Sequence, residues 1–168
     1  MSFTVREIGP CTLILGDALE VMPTLEKVDC VVSDPPYRLT TGGVSKSSKT
    51  MSGVFACHNY ANDGQLVMAN VEWTEMAPVI FNTMADNADA YIMANDKNLG
   101  PAWKAFTDAG FGLHNVLTWD KRTPTANRWY MKNIEFTLYL WKGKARTISD
   151  PSSKQGIQGT QIDESNHP

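Results

Sequence analysis

The residues best suited to chemistry are Asp34, Pro35, Pro36 and Tyr37, which follow the apolar run VDCVVS at Val28–Ser33. Proline cannot continue a central strand, so a strand must stop there. In an open α/β sheet, ligands bind beyond the carboxyl ends of strands, and Asp34 occupies such an end. A carboxylate there suits the methylation of an exocyclic amine on a base. That nitrogen is conjugated with its ring and is a weak nucleophile. An acceptor in the plane of the amine takes one of its hydrogens and localises the lone pair. Asp34 can be one acceptor, and the Pro35 carbonyl, fixed by two successive prolines, a second. Such preset dipoles favour the positive charge that grows on nitrogen in the transition state. Tyr37 offers a flat face for a base swung out of a duplex. The plainer alternative is a strand followed by a rigid turn, because Asp-Pro and Pro-Pro are ordinary turn signals.

The surrounding pattern supplies elements to position this group. CTLIL at Cys11–Leu15 reads as a short buried strand ending at Gly16-Asp17. Residues 18–25 place Leu19, Met22 and Leu25 on one side, which suits a short amphipathic helix. With the strand at 28–33 this gives strand, helix, strand, the signature of an α/β sheet. Residues 38–70 are polar, and long loops of this kind are usually functional. A helical stripe follows over 71–84, with Pro78 expected to kink it or mark a late start. Strands are expected at 88–94, 116–119 and 134–141, and a helix at 99–111. From 147 onward the chain is polar and aperiodic, which predicts a linker or frayed tail. The expected organisation is a domain over 1–146 followed by that tail over 147–168.

The chain has 168 residues, 42% hydrophobic and 20% charged, enough for one domain with a real core. No apolar run reaches the roughly 18–20 residues that span a bilayer, and the first ten residues lack a signal-peptide core. The expectation is a cytoplasmic protein with no membrane partner. Three scattered cysteines (Cys11, Cys30, Cys57) do not make a disulfide framework. They and His58, His114 and His167 lack ligand spacing, so no metal site is expected. The net charge is −3, yet residues 121–146 hold seven basic side chains against the single acid Glu135. Such asymmetry can be a phosphate-binding face or a solvated, lysine-rich edge strand.

With these residues in view, the chain resembles the beta-class DNA N6-adenine methyltransferases of the phage and prophage type. Gly16-Asp17-Ala18-Leu19 followed by VDCVVSDPPY looks like that family's opening, and TGGVSKSSKTMSGVF like its loop after the catalytic motif. ADAYIMAND, GFGLHNVLTWDK and NRWYMKNIEFTLYLWKGKAR look like its later strands. The resemblance implies an α/β fold: a partial Rossmann-like S-adenosylmethionine-dependent methyltransferase fold, its central mixed sheet flanked by helices and lacking the C-terminal strands. It implies S-adenosylmethionine as cofactor and double-stranded DNA as partner. Asp34, Pro35, Pro36 and Tyr37 would carry catalysis and target-base binding, and Asp rather than Ser at position 34 favours adenine. Asp17, with Asp34, would contact the cofactor, although Asp17 can equally be a helix N-cap. Lys121, Arg122, Arg128 and Lys132 would contact DNA. Trp129 and Tyr130 interleave with them and can stack on bases, but at least one can instead sit in a hairpin core.

The family's glycine-rich cofactor motif, of the Phe-x-Gly-x-Gly type, is not found in the 168 residues. Gly110-Phe111-Gly112 follows a helix rather than a strand, so it cannot present amides at a strand end. The resemblance therefore predicts a truncated or split enzyme. Its strands at 11–15 and 28–33 would be left with open, facing edges, and its own affinity for S-adenosylmethionine would be weak or nil. A second chain or self-association can supply the missing strands. Two alternatives remain: an amine methylase acting on glutamine amides or RNA, and a non-catalytic DNA-binding or interaction remnant. The first is disfavoured because such enzymes place the glycine motif before the catalytic one.

Overall fold

The computed structural model describes residues 3–36, 72–125, 130, 132–150 and 157–159. A hairpin comes first, β1 (Thr4–Ile8) and β2 (Cys11–Leu15), paired antiparallel from Thr4 opposite Leu15 to Ile8 opposite Cys11. Its two-residue loop opens with Gly9 at φ +58°, the left-handed backbone that a tight hairpin demands of its first loop residue. The helix α1 (Ala18–Val21) follows and passes into a 3-10 turn at Met22–Thr24. The single helix expected over 18–25 is thus divided, because Pro23 has no amide hydrogen to extend the α-helical ladder.

Five strands form the main sheet in the order β3 (Val28–Ser33), β4 (Met84–Ala94), β6 (Lys132–Lys142), β5 (Gly112–Thr125), β7 (Ile157–Gly159). β3 runs parallel to β4, and β7 parallel to β5. The β4–β6 and β5–β6 pairs are antiparallel, so the sheet is mixed as expected. β4 begins four residues earlier than its apolar pattern suggests, and β5 is far longer than the run at 116–119. β7 lies inside the segment expected to be a featureless tail. Three residues carry no periodic signal, and a neighbouring strand holds them in place.

Two helices, α2 (Trp73–Thr83) and α3 (Leu99–Asp108), cover one face of this sheet. Alternation in β4 sends Ala88, Ala90, Ile92 and Ala94 toward them, all 0–1% exposed. Three alanines in that row let the helices approach closely. From α2 come Trp73, Met76, Ala77 and Ile80, and from α3 Ala102, Ala105 and Phe106, with Leu138 and Leu140 of β6 completing the core. Pro78 sits inside α2 on its exposed side, where water can solvate the carbonyl that lacks an amide partner. α3 stops before the expected 111 because Gly110 turns the chain at φ +106°.

The opposite face carries Asp89, Tyr91 and Met93 of β4 beside Tyr139 and Trp141 of β6. Tyr91 and Tyr139 stack at 4.8 Å, and His114 stacks on Tyr139 at 5.4 Å. Burial, then the nearby Asp89 carboxylate, pushes the Tyr139 hydroxyl up to about 12. Among the described residues, β2 pairs only with β1, and β3 only with β4. Among those residues their other edges have no strand partner, and Leu13, Leu15 and Val32 are 54%, 78% and 67% exposed. The strand expected to be buried at Cys11–Leu15 is instead exposed, because among the described residues it pairs only with β1 and lies outside the five-stranded sheet.

Candidate active site

β3 ends at Ser33 and delivers Asp34 to the carboxyl edge of the sheet. Pro35 behind it is buried, while Asp34 and Pro36 are exposed. Ser33 pairs with Ile92, so Asp34 continues the row beside Met93, which pairs in turn with Thr137. Thr137 pairs with Leu117, and two rows further on Glu135 pairs with Trp119. Met93, Leu117, Thr118, Trp119, Glu135, Phe136 and Thr137 line a cavity of about 160 Å³. Ligand pockets usually hold ~300 Å³ or more. The cavity is too small for a base and a nucleoside cofactor together. The described residues thus do not by themselves enclose S-adenosylmethionine.

The Asp34 carboxyl is raised above its usual range. Loss of water is the largest cause, the Glu135 carboxylate adds to it, and the Lys121 ammonium opposes it. Lys121 Nζ lies 2.6 Å from Glu135 Oε1, with both side chains about 30% exposed, and 5.9 Å from the centre of the Trp119 ring. The β5–β6 register slips between Asp120 and Thr125. There Arg122 adopts φ +60°, a conformation costing roughly 1–2 kcal/mol in a non-glycine residue. Asp120 Oδ1 holds the kink by accepting hydrogen bonds from the Arg122 amide at 2.8 Å and from Asn133 Nδ2 at 3.1 Å.

The sequence-derived candidates fall into three groups. Asp34 and Pro35 share the cavity end of the sheet with Lys121. Asp17 is an N-cap: its Oδ1 accepts from Leu19 N at 2.9 Å, and its carbonyl accepts from Glu20 and Val21. It stands after β2, which does not pair with β3, and no described contact joins it to Asp34. Tyr37, Arg128 and Trp129 lie outside the described residues. Lys132 opens β6, and its side chain lies outside them as well. Arg122 is exposed, with no ion pair among the described residues, and Tyr130 is 94% exposed, so it is not a hairpin core residue.

Two other cations of the basic segment are structural. Lys142 donates to the Phe81 and Met84 carbonyls at 3.0 and 2.8 Å. Arg146 donates to the Asn87 carbonyl at 2.6 Å and pairs with Asp29 at 3.2 Å. Glu135 and Trp119 were not foreseen as site residues. The signal was an acid inside the apolar alternation of IEFTLYLW, a costly place for a charge without a task.

No protein-family model matches the chain. It is similar to the Type II methyltransferase M2.MboI of Moraxella bovis, 22% identical over 134 residues, covering 76% of this chain and 48% of that protein. It is also similar to the Type II methyltransferase M2.DpnII of Streptococcus pneumoniae, 27% identical over 128 residues, covering 72% and 47%. The crystal structure of the M1.HpyAVI–SAM complex superposes with a TM-score of 0.56 at 16% identity, over 87% of this chain and 65% of that one. The fold is a methyltransferase fold. A second M1.HpyAVI structure gives a TM-score of 0.57 at 18% identity, over 86% and 63%. The chain spans about half the length of the curated relatives it matches. In this methyltransferase fold Asp34 takes the strand-end position that the open-sheet rule assigns to ligands.

Proposed function

We propose that the chain carries the catalytic motif of a site-specific DNA methyltransferase that transfers a methyl group from S-adenosylmethionine to the exocyclic amino group of adenine. The observation that carries this reading is Asp34-Pro35 at the carboxyl end of β3, on the row of Met93 and Thr137. S-adenosylmethionine would supply an electrophilic methyl group. Asp34 accepts one amine hydrogen and Pro35 the other through its carbonyl, so the nitrogen lone pair turns out of the ring plane toward the methyl group. Once methylated, the nitrogen is acidic, and its extra proton leaves to Asp34 or water. Tyr37 stacks on the flipped base, and Arg122, Arg128 and Lys132 meet phosphates. Asp17 would add an acidic contact to the cofactor with the carboxylate oxygen its cap does not use.

The cofactor pocket then needs more than the described residues. The open edges of β2 and β3, with Leu13, Leu15 and Val32 exposed, support completion by further strands from a second chain or by self-association. Among the described residues no helix is long and apolar enough to cross a membrane. We place the protein in the cytoplasm, in a phage or prophage restriction-modification setting.

Single-turnover methyl transfer at millimolar S-adenosylmethionine tests the reading, with adenine-containing duplex and mass analysis of the nucleosides. The expected product is N6-methyladenine, formed slowly and abolished in Asp34→Ala. Calorimetry should show weak cofactor binding by the chain alone. Methyl transfer that survives Asp34→Ala would sink the catalytic assignment. The small cavity and open edges also fit a non-catalytic remnant, which would bind duplex in a salt-dependent manner with or without Asp34 and transfer nothing.

A further inference from the structure

We infer that the Lys121–Glu135 ion pair is a positioning element for Asp34, held by the kinked end of the β5–β6 hairpin so that both charges bear on the carboxylate across the cavity. The inference rests on reading Asp34 as the amine acceptor. Three observations converge on it. Glu135 lines the cavity whose β4 wall, Met93, is the residue beside Asp34. Strand alternation puts Trp119 and Lys121 on the same face as Leu117, and Lys121 meets Glu135 at 2.6 Å. The backbone there is fixed by an uncommon device: Arg122 is in the left-handed region, and Asp120 pins it to Asn133 of the facing strand. Strain of this kind persists where surrounding contacts over-determine it, and it clusters at functional sites. Here it lets Arg122 stay exposed at the surface while Lys121 remains paired with Glu135.

The pair acts as a dipole. Glu135 outweighs Lys121 at the Asp34 carboxyl. The negative end therefore dominates and makes Asp34 a stronger hydrogen acceptor, while Lys121 limits the effect. Among the described residues, Glu135 from β6 and Lys121 from β5 are the charged groups acting on Asp34, and β4 faces it with uncharged Met93.

The test is a ¹³C-carboxyl NMR titration of Asp34 in the full chain, assigned by its loss in Asp34→Asn and read without DNA or cofactor. Glu135→Gln should move the Asp34 midpoint down, and Lys121→Gln should move it up. Lys121→Arg should restore the original midpoint. Amide spectra establish that each variant is folded, and any one folded member of the Glu135→Gln and Lys121→Gln pair gives a signed result. A purely structural role predicts no opposite-signed pair of shifts. Midpoints that stay put, or that move in the same direction in both variants, overturn the inference. Because the titration is read without catalysis, its failure is distinct from failure of the methyl-transfer reading. If transfer is observed, the acid limb of its pH profile should follow the same signs.

Discussion

Replacing Lys142 by Met separates the structural cations of the basic segment from the functional ones. The Lys142 side chain is 15% exposed and donates to the Phe81 and Met84 carbonyls, where α2 ends and β4 begins. The Phe81 carbonyl belongs to the last turn of α2, where carbonyls lack an intrahelical amide, and a cation there also meets the negative end of the helix dipole. The ammonium lies 4.7 Å from the centre of the Phe81 ring, worth about 0.5–1 kcal/mol. Its pairing with Asp86 is 3.9 Å long, and Asp86 is 90% exposed, so that contact contributes little. Hydrogen bonds to charged groups contribute about 1.5–3 kcal/mol each. Water can replace part of that at a site near the surface, and Met keeps the aliphatic stem. The expected net loss is about 2–3 kcal/mol, or about 5–10 °C in Tm for a domain of this size. Urea denaturation measures it, and DNA affinity against salt measures the other half of the claim. Each phosphate contact adds about 0.9 to the salt slope, so Lys142→Met should leave the slope unchanged. A stability loss below about 0.5 kcal/mol, or a slope reduced by nearly one, would refute the structural assignment.

Arg122→Gln should behave in the opposite way, lowering the salt slope of duplex binding by about 1 with little change in Tm; an unchanged slope removes Arg122 from the interface. Asp17→Ala should cost about 1 kcal/mol through loss of the α1 cap, while Asp17→Ser should restore most of it. If the serine variant still binds S-adenosylmethionine less well than wild type in the completed enzyme, a cofactor role is added to the cap; equal binding leaves the cap alone. Asp34 binds its proton more tightly folded than unfolded, so its ionisation opposes folding. That destabilisation is absent below the ordinary carboxylate range and fully developed above the raised value. Asp34→Asn should therefore raise Tm at pH 7 while abolishing transfer, and the difference in Tm should vanish in acid. A lower Tm at pH 7 would contradict the raised value.

Much of this arrangement is legible from residue order. VDCVVS before Asp34-Pro35 gives β3 and its functional end, and the stripes at 71–84 and 99–111 give α2 and α3 to within a few residues. β1 escaped notice because every residue of TVREI is exposed, so no apolar face marks it. β7 is three residues long and exists through its partner. The role of Glu135 was hidden because charge counting treats an acid among lysines as one unit subtracted from a total. Only the cross-strand register brings it near Asp34, a residue 101 positions earlier in the chain.

The basic segment shows why composition could not choose between a phosphate-binding face and a structural edge. Residues 121–146 include the end of β5 and all of β6, so one sequence cluster reaches from one end of the sheet to the other. Lys142 pairs in register with Ala88, near the start of β3, and Arg146 reaches Asp29 at that same end. Glu135 lies seven residues along β6, which at about 3.4 Å per residue is roughly 24 Å away. That is some three Debye lengths at physiological salt, where the Debye length is about 8 Å. Lys142 is therefore screened from Glu135, whatever its share of the net charge. Lys121 and Arg122, beside the kink, sit at the end of the sheet that carries Asp34. The positive excess is two populations: one ties α2 and β3 into the sheet, and the other stands at the opposite end, where the proposed function would bring a duplex to Asp34.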